Sequence, residues 1–181
     1  AMNALTVNLH LLLVSFYRPA GKRTKILCEA KAFPSDQYAL ASQVRFHGGN
    51  PAVDIIEVAP REGTHVIEET DVETILQERG DEIALVMMGG VQYFTGQWLD
   101  MNRITTAAHE AGALCGFDLA HAVGNVPLAL HTWNVDFACW CSYKYLNSGP
   151  GAVAGAYVHH RHVREDVLPR FEGWWGHNAK R

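Results

Sequence analysis

The sequence has no hydrophobic run long enough to cross a lipid bilayer. The longest apolar stretch near its start, residues 9–17, is interrupted by His10 and Ser15, whereas a transmembrane helix needs about 20 consecutive apolar residues. The same stretch has no basic flank before it and no small-residue cleavage site after it, so it does not resemble a signal peptide. The sequence therefore predicts no membrane partner.

Cysteine is also scarce. The four cysteines are Cys28, Cys115, Cys139 and Cys141, and no two of them form a Cys-x-x-Cys pair. All four lie in apolar, strand-like runs, which favours buried reduced thiols and a cytoplasmic location. Cys139 and Cys141 are two residues apart on one predicted strand, where a disulfide is geometrically awkward.

A strong charge of one sign is missing as well. The 181 residues carry a formal net charge of −4 and show no basic stripe, so nothing predicts a nucleic-acid partner. The ten histidines are scattered, and their one cluster, at residues 159–162, matches no familiar metal-ligand spacing. We therefore expect a solvated loop at these residues and no metal ion.

The chain does contain the material of a globular domain, with 48% hydrophobic and 19% charged residues. Apolar segments typical of strands alternate with segments typical of helices. The predicted strands cover residues 25–29, 53–58, 83–88, 113–117, 135–141 and 153–158, and the predicted helices cover 5–17, 36–46, 72–78 and 100–111. This alternation predicts a single α/β domain with a mostly parallel sheet and helices on both faces.

Two polar residues follow predicted strands, where ligands bind in sheets of this kind. Asp118 ends one apolar run, and Lys144 comes shortly after another. A lysine amine becomes nucleophilic when its charge is suppressed, and a carboxylate favours the protonated form of a pyridine nitrogen beside it. A Schiff-base lysine and such a carboxylate are what pyridoxal phosphate requires. A surface lysine and a turn-forming aspartate remain the simpler interpretations.

Three further positions are candidates for the same site. His121 follows Asp118 by three residues, so the two lie on one side if a helical turn starts there; a buried structural histidine is the alternative. Thr6 lies near the start of the first predicted helix, whose free amide groups can bind phosphate. Ser35 or Asp36 is predicted to cap the second helix after a strand.

Longer strings of residues resemble a known family. Residues 117–125 (FDLAHAVGN) and 142–144 (SYK) look like the class V, fold type I pyridoxal phosphate enzymes, and similarity to the kynureninases within that class comes from residues 2–10, 32–36, 140–147 and 173–177. The resemblance covers essentially the whole chain. It implies that residues 1–181 are the large-domain core of a fold type I enzyme, without the amino-terminal arm and the carboxyl-terminal small domain.

The resemblance also implies a role for each matching residue. Lys144 would hold the cofactor and, with Tyr143, serve catalysis. The implied cofactor-binding set is Lys144, Asp118, His121, Tyr143, Leu5, Thr6, Phe33, Ser35, Asp36 and Trp174. Within this set Asp118 would pair with the ring nitrogen and Phe33 would stack on the ring. Trp174 would reach the phosphate from the neighbouring subunit of a homodimer.

The implied reaction is the hydrolytic cleavage of L-kynurenine, or its 3-hydroxy relative, to an anthranilate and L-alanine in tryptophan catabolism. Two alternatives remain: another class V enzyme, such as an aminotransferase or a cysteine desulfurase, or an inactive truncated core that binds the cofactor. A desulfurase needs a mobile catalytic cysteine, and no cysteine follows Cys141. The chain also departs from the family pattern at Gly89, where members usually carry a hydroxyl side chain.

Overall fold

The fold is a six-stranded sheet covered by helices, seen in a computed structural model that describes residues 1–163 and 168–171. Two 3-10 turns, Gly80–Glu82 and His160–His162, accompany the regular elements. In chain order these are α1 (Leu5–Phe16), β1 (Lys25–Glu29), α2 (Pro34–Phe46), α3 (Pro51–Asp54), β2 (Ile55–Val58), α4 (Glu69–Arg79), β3 (Ile83–Gly89), α5 (Met101–Glu110), β4 (Leu114–Asp118), β5 (Phe137–Trp140) and β6 (Gly155–Val158).

The sheet has the strand order β2-β1-β3-β4-β5-β6. Every neighbouring pair from β2 to β5 is parallel, and β6 runs antiparallel to β5. The predicted α/β class with a mostly parallel sheet is therefore confirmed. Because the carboxyl ends of the parallel strands meet at one edge, the residues that follow β1, β3, β4 and β5 are brought together there.

Alternate residues of the central strands point to opposite faces, as the period of a strand requires. Ile26 and Leu85 pack under α1 and α2 together with Leu13 and Phe16. Leu27 and Val86 pack on the other face, in the cluster that α4 and α5 also enter. Both faces are thus covered, which explains why the strands are apolar throughout.

Two sequence predictions about local structure are wrong. Residues 53–58 form no single strand, because Pro51 and the Asn50 side chain, which accepts a hydrogen bond from the Ala52 N–H at 3.1 Å, start the short helix α3 before β2. The predicted start of the third helix, at residue 72, is also wrong. The helix begins at Glu69 without a side-chain cap, and Asp71 pairs with Arg61 instead, at 2.7 Å.

The histidine segment differs from its prediction too. Residues 159–162 were expected to form a solvated loop, but His159 and His162 are buried and residues 160–162 form a 3-10 turn. Elsewhere the described cysteines follow expectation, since all four are buried free thiols. In the part of the chain that the structure describes, no helix is both long and apolar enough to cross a bilayer.

A buried carboxylate organises the amino-terminal edge of the sheet. Asp136, just before β5, is fully buried and accepts hydrogen bonds from the Cys115 N–H at 2.7 Å, from the His109 and His162 rings at 2.8 and 2.7 Å, and from Arg161. These bonds outweigh the cost of burial and lower the pKa of Asp136 to about 2. The carboxylate therefore joins α5, β4 and the turn after β6.

Replacing this carboxylate tests its contribution. We expect Asp136→Asn to lower the free energy of unfolding at pH 7 by about 3 kcal/mol, because Arg161 loses its buried partner. Since the folded-state pKa is depressed, the stabilisation is present above the ordinary pKa near 4 and is lost as the pH falls towards 2. Urea denaturation at pH 7 and at pH 3 measures both effects.

The matched control is Asp81→Asn, which removes an exposed ion pair with Lys22 and should change stability little. Equal stability of Asp136→Asn and the parent protein at pH 7 would contradict the role of Asp136.

Candidate active site

A cavity of about 360 Å³ opens at the carboxyl edge of the parallel strands. Residues from β1, β3, β4, the starts of α1 and α2 and the loop after β5 line it. The predicted site residues in its lining are Leu5, Thr6, Phe33, Ser35, Asp36, Asp118, His121, Tyr143 and Lys144. Trp174 lies outside the described residues. The structure thus brings together nine residues that are spread over 140 positions of the sequence.

Lys144 lies in the loop after β5, half-buried, with its amine directed at a histidine. Its Nζ is 2.9 Å from His121 Nε2 and 5.5 Å from the centre of the Phe33 ring. Burial and the neighbouring Lys144 charge lower the pKa of His121. A neutral His121 ring can accept a hydrogen bond from the lysine amine, so it holds Nζ in a defined position.

Asp118 is the last residue of β4 and is buried. Its Oδ1 accepts a hydrogen bond from the Ala120 N–H at 2.6 Å, which forms the turn that carries His121 into the cavity. Asp118 therefore forms a turn, as one interpretation predicted, and it also lines the cavity, whereas its role beside a ring nitrogen stays a prediction. Burial is the main reason that the pKa of Asp118 is raised.

Asp36, in the first turn of α2, is buried beside Asp118. Burial, the Asp118 charge and a hydrogen bond between the two carboxyl groups raise the pKa of Asp36 to about 9. Ionising both of two adjacent buried carboxyl groups is unfavourable. Asp36 therefore keeps its proton and donates a hydrogen bond to the Asp118 carboxylate. The pair thus carries one negative charge, which the nearby charge of Lys144 favours.

Glu29 is a third buried acid in the cavity, and sequence reasoning missed it. It ends β1, accepts the Gly89 N–H at 2.6 Å, and has a pKa raised to about 6, chiefly by burial. A Cβ at Gly89 would lie 3.1 Å from Glu29 Oε1, so the glycine leaves room for this side chain. Glu29 could have been predicted from the sequence, because it is an acidic residue at the end of an apolar strand, which is the pattern that indicated Asp118.

The starts of two helices border the cavity. At α1 the N-cap residue Ala4 makes no side-chain hydrogen bond and no acidic residue occupies the first turn, so the positive helix end faces the cavity at Leu5 and Thr6. At α2 the predicted cap by Ser35 or Asp36 is wrong. Phe33 is the N-cap residue, its side chain makes no cap bond, and Pro34 occupies the first helical position.

Aromatic side chains complete the cavity wall. The Phe33 ring lines the cavity, is 43% exposed and meets the Tyr93 ring edge-on, with centroids 5.2 Å apart. Tyr143 is exposed, and a hydrogen bond with Cys141 is the first cause of its raised pKa. The Tyr143 hydroxyl therefore lies at the cavity wall formed by Cys141.

A family profile described as Aminotransferase class-V matches residues 11–171, almost the whole chain. The chain belongs to this family. Class V aminotransferases are pyridoxal phosphate-dependent, which confirms the cofactor predicted from the sequence. The cavity of this class V chain fits that group: an uncapped helix start suits a phosphate, the Asp36–Asp118 pair suits a protonated ring nitrogen, and Lys144 suits a carbonyl carbon.

Two curated relatives show which enzymes of this family the chain resembles. The chain is 62% identical to a kynureninase of Flavobacterium johnsoniae over 180 residues, which are 99% of this chain and 42% of that protein. It is 61% identical to a kynureninase of Nematostella vectensis over 176 residues, 97% of this chain and 38% of that protein. The chain thus spans about two fifths of the length of the curated relatives it matches. The predicted similarity to kynureninases is confirmed.

Solved structures support the fold. The cystine C-S lyase C-DES superposes with a TM-score of 0.78 at 18% identity, over 99% of this chain and 46% of that chain. A cysteine desulfurase from Thermococcus onnurineus superposes with a TM-score of 0.70 at 18% identity, over 89% of this chain and 38% of that chain. At such low identity these likenesses establish a shared fold.

Replacing the ionisable group of Asp36 by an amide tests the pair of carboxyl groups. A group whose folded-state pKa is raised destabilises the fold progressively as the pH rises above its ordinary value. We expect Asp36→Asn to raise the free energy of unfolding of the cofactor-free protein at pH 8. The gain should be roughly 1–3 kcal/mol, which is the cost of burying the Asp36 carboxyl group at a pH where it ionises in the unfolded chain. At pH 5 the gain should shrink. Denaturant titrations at the two pH values measure it.

Asp71→Asn, which removes an exposed ion pair with Arg61, is the control and should give no stabilisation. A destabilised Asp36→Asn protein at both pH values would show that Asp36 and Asp118 do not compete for one proton.

Proposed function

We propose that this chain forms the cofactor-binding part of a hydrolase that cleaves L-kynurenine, or its 3-hydroxy relative, to an anthranilate and L-alanine. The observation that carries the proposal is the single cavity that holds Lys144, His121, Asp118 and the start of α1. Identities of 54% to 62% to kynureninases over nearly the whole chain support the reaction class. The substrate is accordingly a small molecule.

The side chains supply the binding contacts. Bound pyridoxal phosphate supplies an electron sink for carbanion chemistry. Asp118 would hold the proton on the ring nitrogen, and Asp36 would reinforce it through the shared hydrogen bond. Phe33 would pack on the ring, and the amide groups at Leu5 and Thr6 would bind the phosphate. Ser35 Oγ lies 3.4 Å from Asp36 Oδ1 and would support that carboxyl group.

Proton transfer falls to Lys144 and its neighbours. The Lys144 Nζ would hold the cofactor and, as a free amine, would take the α-proton of the substrate. His121, at 2.9 Å, would orient that amine by accepting a hydrogen bond from it. Tyr143, which lines the same cavity, would be the second proton donor.

The remaining features of the whole protein extend the proposal. A homodimer is supported by large apolar side chains that are exposed on the surface, among them Phe94, Trp98, Tyr143, Tyr145 and Leu146. Trp174 would reach the phosphate across that interface. A cytoplasmic location is supported by four buried free cysteines, which suit a reducing compartment. The single large-domain organisation of residues 1–181 stays a prediction.

Lys144 is the direct test of cofactor attachment. The purified protein incubated with pyridoxal phosphate should develop a visible absorption band that borohydride removes, with the reduced cofactor retained on the chain. Lys144→Ala should show no such band because it lacks the amine. Lys22→Ala, which removes an exposed lysine paired with Asp81, should behave like the parent protein. Borohydride-stable labelling of Lys144→Ala would refute attachment at this residue.

Substrate turnover separates kynureninase from the other class V activities. We expect fluorescent anthranilate from kynurenine at a rate at least 100-fold lower for the 181-residue chain than for a full-length relative, because the chain spans only about two fifths of such proteins. Lys144→Ala should abolish the residual rate. Turnover at the full rate by the chain alone contradicts the expected weakness, and desulfuration of cysteine without kynurenine cleavage contradicts the proposed reaction.

A further inference from the structure

Three histidines meet at the edge of the sheet opposite the candidate active site. His131 lies in the connection between β4 and β5, and His159 and His160 follow β6. Because β6 is antiparallel to β5, its carboxyl end lies beside the amino end of β5. The site proposed above uses none of the three.

The ligand nitrogens of these histidines converge. One nitrogen from each ring lies within 4.8 Å of the others. His131 Nε2 and His160 Nδ1 are 2.9 Å apart, close to the separation of about 3.4 Å between two nitrogens that each lie about 2.1 Å from a tetrahedral metal. The three ring centroids are 4.7 to 4.8 Å from one another, and the ring planes are inclined by 13° to 35°, so the rings turn about their side-chain bonds to direct their lone pairs at one cation.

We propose that His131, His159 and His160 form a binding site for a divalent transition-metal cation of the Zn²⁺ type, which ties the connection before β5 to the end of β6. Imidazole nitrogen is the ligand that such cations prefer over Mg²⁺ or Ca²⁺. Three histidines leave one coordination position for water. The cation takes the place of the proton that His131 and His160 share between them.

The surrounding backbone fixes the segment that carries His159 before any metal binds. The His159 backbone N–H donates to the Asp136 backbone oxygen at 2.9 Å. The Arg161 side chain donates to the Asn134 oxygen at 3.1 Å and to the Asp136 carboxylate, so its charge is compensated. A fixed backbone reduces the ordering cost of binding.

The buried ring, His159, sets the chemistry of loading. Its Nδ1 accepts the Arg161 N–H at 3.2 Å, and its Nε2 faces the His131 backbone oxygen at 3.4 Å. In this state the single ring proton is on Nε2. Binding through Nε2 moves that proton to Nδ1, with no net proton released from the neutral ring. The metal bond replaces the contact of Nε2 with the His131 oxygen, and the Arg161 backbone N–H loses its acceptor at Nδ1.

Zinc titration tests the site. Untagged protein, freed of metal and cofactor, is titrated with ZnCl₂ in competition with a chromophoric chelator. We expect one Zn²⁺ per chain, with at least tenfold weaker binding in His160→Ala and in His131→Ala. Bound Co²⁺ should show ligand-field bands typical of nitrogen coordination, and these should be lost in both variants. His160 and His131 are exposed, so both variants should keep the fold, which circular dichroism checks.

His65→Ala is the matched control, because it removes an exposed histidine outside the cluster. It should bind Zn²⁺ like the parent protein. The proposal is overturned if the parent protein binds no Zn²⁺, or if His160→Ala and His131→Ala both bind it unchanged. Neither result bears on the pyridoxal phosphate site, which lies at the other edge of the sheet.

Discussion

The hydrogen-bonded pair of buried acids, Asp36 and Asp118, is the constraint on which the site depends. A carboxyl group transferred from water to a protein interior is costly unless it is neutralised or paired. Here the fold places two of them together and sets Glu29 nearby, with their pKa values raised. This unfavourable arrangement indicates a binding site for a cationic ring, because a protonated pyridine nitrogen beside the carboxyl groups would offset the cost of burying them.

The sheet topology explains why these acids meet. Gly89 and Asp118 are register partners on β3 and β4, and Glu29 ends β1 on the other side of β3. The strand between the two acids therefore ends in a residue without a side chain, and its N–H binds Glu29. Because β1, β3 and β4 are parallel neighbours, their carboxyl ends lie side by side and form one wall of the cavity.

Much of this arrangement could be predicted, and the failures have physical reasons. The bounds of β1 were predicted correctly because an apolar run between polar turns reports burial on both faces. Lys144 and Asp118 were predicted because strand ends are visible in the sequence. The helix α3 was missed because its apolar residues fit a strand, whereas Pro51 and the Asn50 cap decide the backbone. The closeness of Asp36 to Asp118 was beyond sequence patterns, because it depends on strand order.

The reversal of direction at β6 has a consequence for the lysine loop. Since β5 and β6 are neighbours that run in opposite directions, residues 141–154 form a closed connection that leaves and re-enters the sheet at one edge. Ser142 is tied across this loop to the Val153 oxygen at 2.6 Å, and the Ser148 N–H returns to the Ser142 oxygen. Lys144 therefore lies in a loop whose two ends are hydrogen-bonded to each other, which restricts the backbone that carries its amine.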